Sequence, residues 1–310
     1  MYSSMKKLLL GLSNSYVFIL SLALVGGLFF STHTIHLAPH ITIFLAIIFF
    51  LTALKIDLKE IWKCLDDKKL LIITNLLMLV IFPIAVYYLA LFVYPKLAIA
   101  FLILAAMPSG MTAPLLTEIC GGKQSLALVL SITTSLLAPF TIPLMIKLLA
   151  GATVVVSFSS MSLSLAKIIF IPFILANIIK YFWEKQIKKT YKTFKPISIM
   201  LMGAIIMGVI AKQATNIMKF ENEYLIYLGL LFAFFIFIHV ISYVVIFWKN
   251  KKERIATTIS LTYFNFTLAI YLAGEFFNEP HIVIFVILSV IPWAILLVPF
   301  KYYTRNQRIS

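Results

Sequence analysis

Between Ala106 and Pro139 the chain reads AMPSGMTAPLLTEICGGKQSLALVLSITTSLLAP, a run in which hydroxyl side chains and helix breakers interrupt residues apolar enough for lipid. Pro108, Gly110, Pro114, Gly121 and Gly122 break the pattern, and Ser109, Thr112 and Thr117 accompany them. A helix that breaks at membrane depth frees backbone carbonyls and amides, which then need a ligand, a cavity or another helix. Such discontinuous helices build substrate and ion sites in transporters. Further on, Ser131, Thr133, Thr134 and Ser135 precede Pro139 and Pro143. Ser131 and Ser135 share one helix face and Thr134 lies close to it. A second polar run, RIATTISLTYFNFTLAIYLAGEFF, carries Thr257, Thr258, Ser260, Thr262, Asn265 and Thr267. Asn265 is its strongest candidate, because a buried amide must satisfy both donors and an acceptor. This second run has no central Pro or Gly, so its sequence argues less directly for a break.

Ionisable groups within the apolar runs are few: Glu118, Lys167, His239 and Glu275. Each costs about 2.5–3.5 kcal/mol at mid-bilayer on insertion scales. Lys167 can snorkel outward. Glu118 and Glu275 fit equally well as solvated ends. His239 reads either as a hydrogen-bonded neutral imidazole or as a proton carrier. No HExxH, Walker A or GxSxG motif occurs, so an enzyme or an ATP-driven pump within this chain is not expected.

These residues sit in a chain of 310, of which 62% are hydrophobic and 12% charged. A soluble domain would carry roughly a quarter charged residues. The apolar runs recur throughout, so the chain reads as a multi-pass membrane protein with ten spans, at about 15–32, 37–54, 70–94, 97–119, 124–150, 160–182, 197–218, 224–248, 254–276 and 281–300. The first of these is read as a span rather than a signal peptide, because no clean small-x-small cleavage site follows it. Lys55–Lys69 and Trp183–Pro196 are the longest polar connections expected.

Ten spans put both termini and every even-numbered connection on one side. That side then holds all of the 26 Lys and Arg residues except Lys96, Lys147, Lys167, Lys212 and Lys219. The bias marks it as cytoplasmic and accounts for the net charge of +15 without nucleic acid. Cys64 and Cys120 both fall on that side, so a disulfide is not expected. Ten spans divide into five plus five. An odd number per half inverts one half against the other, the plan of many secondary transporters. The whole of residues 1–310 is thus one transmembrane domain, with repeat one at about 15–150 and repeat two at about 160–303.

The stretch MPSGMTAPLLTEICGGKQSLALVLSITTSLLAPFTIPLMIKLLAG resembles the crossover region of the bile acid:sodium symporter family. Pro108, Gly110, Thr117, Gly122, Leu126, Thr133, Leu136 and Pro139 fall in register with that family's pattern without a gap. Asp57–Lys69 is similar to its cytoplasmic connection, and the ninth span to its second crossover helix, with Asn265, Leu268 and Ala269 in place. The resemblance implies an all-α fold of ten transmembrane helices in two inverted five-helix repeats, arranged as a core and a panel domain, with helices 4 and 9 broken where they cross. It implies sodium-coupled uptake of organic anions.

The family's ion-ligand positions, however, have changed. Its Ser-Asn pair falls at Ala113 and Pro114, its two hydroxyls on the fifth span at Ala127 and Ser131, its shared carboxylate at Ser260, and its glutamines at Met78 and Phe264. Sodium is a hard cation that wants oxygen ligands, and these positions retain few.

The expected function is a secondary transporter of a small organic anion in the cytoplasmic membrane, both termini inside. It has no cofactor beyond Na⁺ or H⁺ as coupling ion, and a monomer is favoured. Gly110 and Pro114 would shape the substrate site, facing the cleft between core and panel, and Thr112, Ser131, Ser260, Thr262 and Asn265 would supply polar contacts. Sodium coupling at the usual two positions is expected to be weak or absent. The alternatives are a proton-coupled or uncoupled carrier, an efflux system like the arsenite exporters, or a membrane sensor on the same fold that no longer transports.

Overall fold

The computed structural model describes residues 16–56, 68–151, 157–219, 222–277 and 279–306. Cys64, most of Asp57–Lys69 and the terminal basic residues Lys6, Lys7 and Arg308 lie outside them. The described residues are helical throughout, apart from turns and one isolated antiparallel bridge. Among them, six helices are long and apolar enough to cross a membrane, as expected of a multi-pass protein.

The chain divides into two compact units, Met1–Ile56 with Ser164–Phe220, and Asp57–Leu163 with Glu221–Ser310. The first unit contains α1 (Tyr16–Phe29), α2 (Ser31–Lys55) and most of α7 (Phe158–Met218). Small residues let these helices approach closely, as is usual where lipid offers no hydrophobic drive for association. A Cβ on Gly27 would lie 2.8 Å from Ile210, and one on Gly203 would lie 2.9 Å from Ile19.

Residues 183–196, expected to be a polar connection, are helical instead. α7 bends at Trp183 (φ −129°, ψ 33°) and then continues. The segment is amphipathic rather than simply polar: Ile187 and Phe194 are buried while Glu184 pairs with Lys188 one turn on, at 2.7 Å. The Tyr191 hydroxyl donates to the Leu54 carbonyl at 3.0 Å and Lys180 to that of Ile56, so the helix also closes the end of α2.

The second unit contains α3 (Lys68–Val93), α4 (Pro95–Ala105), α5 (Ala113–Ile119), α6 (Gln124–Ala150), α8 (Glu223–Val245), α9 (Lys251–Thr262), α10 (Phe266–Phe276) and α11 (Pro280–Thr304). α3 widens into a π-turn at Leu77–Ile81, where the Phe82 amide reaches back to the Leu77 carbonyl. The cause is Pro83, which has no N–H and whose ring crowds the carbonyl four residues back. Single π-turns of this kind concentrate at functional sites, and this one holds Met78.

An aromatic cluster ties α4, α8 and α11 together, with ring centroids at 5.1 Å for Phe101–Phe234, 4.7 Å for Phe101–Phe285 and 5.7 Å for Tyr227–Phe285. At the far end of α5 the chain turns sharply. Gly122 N–H donates to Thr117 O and Gly121 N–H to Glu118 O, with Gly121 at φ 78°. This is the Schellman arrangement, with glycine in the left-handed region. A Cβ on Gly122 would lie 2.6 Å from the Thr117 methyl and 2.8 Å from Ile255, so the turn packs directly on α9. Lys123 fixes it there twice, by its amide to the Lys252 carbonyl (2.9 Å) and by its ammonium to Glu253 (3.1 Å).

Candidate functional site

The second unit holds two interrupted helices, α4–α5 and α9–α10, and the interruptions meet. Residues 107–112 leave helical geometry after Ala106, and Tyr263–Asn265 separate α9 from α10. Ser109 and Phe264 face each other as an antiparallel bridge. The Gly110 N–H donates to the Tyr263 carbonyl at 2.9 Å, and the Asn265 N–H to the Pro108 carbonyl at 2.8 Å. A Cβ on Gly110 would come within 2.5 Å of the Tyr263 carbonyl oxygen and 3.1 Å of that of Phe264. The close approach therefore requires glycine on one side only. That explains how α9–α10 breaks without a Pro or Gly of its own: Gly110 supplies the room, and Asn265 restarts the helix as N-cap, its side-chain oxygen accepting from the Leu268 amide at 3.1 Å.

α6 braces the bridge from the side. The Ser109 amide donates to the Thr134 hydroxyl at 3.1 Å, and Thr134 passes its own proton to the Leu130 carbonyl at 2.6 Å. Ser131 Oγ lies 3.1 Å from the Gly110 carbonyl and 2.9 Å from that of Ala127. Its one proton serves those carbonyls, so Ser109 is the donor in the 3.0 Å contact between the two serine hydroxyls. The stripe on α6 read from sequence is thus used through Ser131 and Thr134, with both hydroxyls committed to the bridge.

The same unit also holds hydroxyls with no partner. Thr74, Thr117, Thr257, Ser260 and Thr262 are all fully buried, and none of their oxygens makes a hydrogen bond. Serine and threonine in membrane helices usually bond the carbonyl one turn back, as Thr258 does to Arg254 at 2.8 Å. A buried hydroxyl left unmet costs about 1–3 kcal/mol, so five of them in one unit mark a polar interior suited to water or a polar solute. Thr112, half-buried at the start of α5, caps nothing. Pro114 sits in the first turn of α5, where its missing N–H costs nothing.

The positions that would ligate sodium have other occupations. Met78 packs with Leu79 and Leu261, and Ala127 lies in an apolar cluster with Leu70, Leu71, Leu130 and Ala256. The Phe264 ring lies against Phe235 with centroids 5.5 Å apart. Ala113 begins α5, its amide bonded to the Gly110 carbonyl at 3.0 Å. Of the side-chain oxygens at these positions, Ser131 is engaged and Ser260 alone is uncommitted. Glu118, Glu275 and Lys167 are all exposed, so none brings charge to the crossing. The residues present do not fit a dehydrated Na⁺, which would lack a counter-charge.

Sequence reasoning did not single out Tyr263, Thr74 or the bracing role of Ser109. Tyr263 is fully buried, and its hydroxyl lies 3.2 Å from Nε2 of His239. Its signal was its place as a polar aromatic beside the expected break. Thr74 has no sequence signal beyond being a hydroxyl in an apolar run.

The sequence profile of the Sodium Bile acid symporter family matches residues 42–220, more than half of the chain. A Bacillus subtilis (strain 168) protein with the name "Uncharacterized sodium-dependent transporter YocS" is 26% identical over 205 residues, which cover 66% of this chain and 64% of that relative. The chain therefore spans less than two thirds of the curated relative it matches.

Proposed function

The chain belongs to the Sodium Bile acid symporter family, and from that premise we propose that it is a secondary transporter of a small organic anion working by alternating access. The family is one of transporters rather than enzymes, and six apolar helices accord with it. The observation that carries the reading is the reciprocal backbone bridge of Gly110 with Tyr263 and Asn265 with Pro108, in a unit that also holds buried hydroxyls with no protein partner. Two helices that interrupt each other at depth spend their backbone groups on one another. The side chains that would bind a solute are Thr112, Thr262 and Ser260, with Gly110, Pro114 and Asn265 shaping the break.

In this proposal α4–α5 and α9–α10 are each one crossing, and α7 supplies two, on either side of Trp183. The count is then ten, arranged as two inverted repeats within one transmembrane domain. The two compact units correspond to the panel and the core. The basic-residue bias supports a cytoplasmic membrane with both termini inside.

The same proposal holds that sodium coupling at the two family positions is weak or absent. Five of the seven positions (Met78, Ala113, Pro114, Ala127 and Phe264) carry no side-chain oxygen, and three of these are packed into apolar contacts. The sodium dependence in the relative's name belongs to that protein.

Counterflow in proteoliposomes loaded with radiolabelled taurocholate or short carboxylates tests the reading, run with and without a sodium gradient. Exchange that is indifferent to sodium is expected. Strong sodium stimulation overturns the coupling proposal. Thermal stabilisation by these compounds without any counterflow replaces the transporter with a sensor.

A further inference from the structure

We propose that His239 is a proton-binding site coupled to the crossover through Tyr263, so that H⁺ takes the role of coupling ion. What the proton drives rests on the transporter reading; the site itself rests on hydrogen-bond geometry. His239 lies in α8, half-buried, its Nδ1 2.7 Å from the carbonyl of Phe235. A carbonyl can only accept, so Nδ1 carries a proton. In the neutral ring Nε2 is therefore the acceptor, and the Tyr263 hydroxyl, 3.2 Å away, donates to it. When the ring takes up a proton at Nε2, the polarity of this bond reverses. Nε2–H becomes the donor, and Tyr263 must turn its own O–H elsewhere while its oxygen accepts. No proton passes to tyrosine; the event is binding at Nε2 and rotation of one hydroxyl.

Tyr263 is the residue whose backbone carbonyl accepts from Gly110. Reversal at its hydroxyl thus acts on the residue that holds the two interrupted helices together. Its ring packs edge-on against Trp293 (5.6 Å between centroids) and against His239 itself (5.5 Å). The Trp293 indole N–H is buried without a partner on the ring that packs against Tyr263.

The titratable and charged groups around the pair are few. On α8, one turn beyond His239, stands Tyr243, whose ring is stacked by the Arg254 guanidinium at 4.0 Å and whose carbonyl accepts from Arg254 Nε at 3.0 Å. From α11 come Phe300, 5.1 Å from the His239 ring, and Tyr303 against Tyr243. Just past the end of α5, the buried Cys120 thiol is a further titratable neighbour of Tyr263. Tyr243, Arg254 and Tyr303 thus stand together toward the loop end of α8.

Hydrogen exchange on the purified full chain in lipid nanodiscs tests this without a substrate. The readout is exchange of peptides spanning residues 107–113 and 263–268 at pH 5 and pH 8, corrected for the intrinsic pH dependence of amide exchange. Protection of the bridge amides of Gly110 and Asn265 is expected to change by about tenfold between the two pH values, the effect of one pKa unit of coupling. Tyr263→Phe, which keeps the ring packing, and His239→Gln should both be flat. Corrected exchange that is the same at both pH values in the wild type, or a pH dependence that survives Tyr263→Phe, overturns the proposal. Should His239→Gln fail to fold, ¹⁵N imidazole spectra of the wild type decide: an Nδ1–H tautomer at pH 8 that titrates in step with the exchange supports the site, and a ring that does not titrate between pH 5 and 8 removes it. Counterflow that fails while the crossover still responds to pH removes the transporter reading alone; a crossover blind to pH with intact counterflow removes this one alone.

Discussion

The Gly110 amide meets the Tyr263 carbonyl at 2.9 Å, and a Cβ on Gly110 would stand 2.5 Å from that same oxygen. The bond and the missing side chain are one requirement. Two helix breaks, 153 residues apart in sequence (110 to 263), approach closely enough to pair their backbones because one of them has no Cβ at the contact.

Gly110→Ala is therefore expected to be among the most damaging small substitutions in the chain. The obstructing atom is backbone, so no side chain can swing away. Overpacking of this kind costs about 1–3 kcal/mol, and the loss of the bridge bonds adds to it. Thermal unfolding in detergent should fall well below wild type, and counterflow should vanish. A variant of wild-type stability would mean that the two breaks do not hold each other.

Parts of this arrangement were legible beforehand. Pro108 and Gly110 announce a break because neither residue suits a helix interior, and lipid forbids leaving the freed backbone unpaired. Asn265 was legible as a buried amide, though not as the cap that restarts α10. Its partner was not legible, since local sequence carries no information about which carbonyl across the fold an amide will find. Residues 183–196 were misread as a connection: Lys and Glu dominate the count, while the buried Ile187 and Phe194 reveal the helix only at 3.6-residue spacing. The missing oxygens at Met78, Ala127 and Phe264 were plain from sequence, and the structure adds that apolar neighbours fill those places.

Sodium should leave the stability of the protein unchanged. A site with a dissociation constant of 1 mM would raise stability by about 2.7 kcal/mol at 100 mM sodium, through mass action alone. Melting temperatures in 100 mM NaCl, KCl and choline chloride at matched ionic strength are expected to coincide. A sodium-specific rise would restore the ion site that the side chains argue against.

Gly121→Ala isolates the turn at the end of α5. The left-handed conformation at φ 78° costs a residue with a Cβ about 1–2 kcal/mol. The turn faces α9 and not the crossing, so stability should fall by about that amount while the affinity for a transported solute holds. An unchanged melting temperature would show that the turn can relax at no cost.

Ser131→Ala and Ser260→Ala should differ in sign, and the pair separates scaffold from binding surface. The Ser131 hydroxyl reaches the Gly110 and Ala127 carbonyls and accepts from Ser109. Removing it strands a buried donor on Ser109, at about 1–3 kcal/mol, while the Gly110 carbonyl keeps the Ala113 amide. Ser260 is equally buried and bonds to nothing in the protein. Removing that oxygen relieves an unmet desolvation cost, so stability should hold or rise. If Ser260 contacts the solute, the same variant loses counterflow while melting at or above the wild-type temperature. If both alanine variants lose stability alike, Ser260 belongs to the scaffold as Ser131 does, and the polar contact to the solute must come from Thr112 or Thr262.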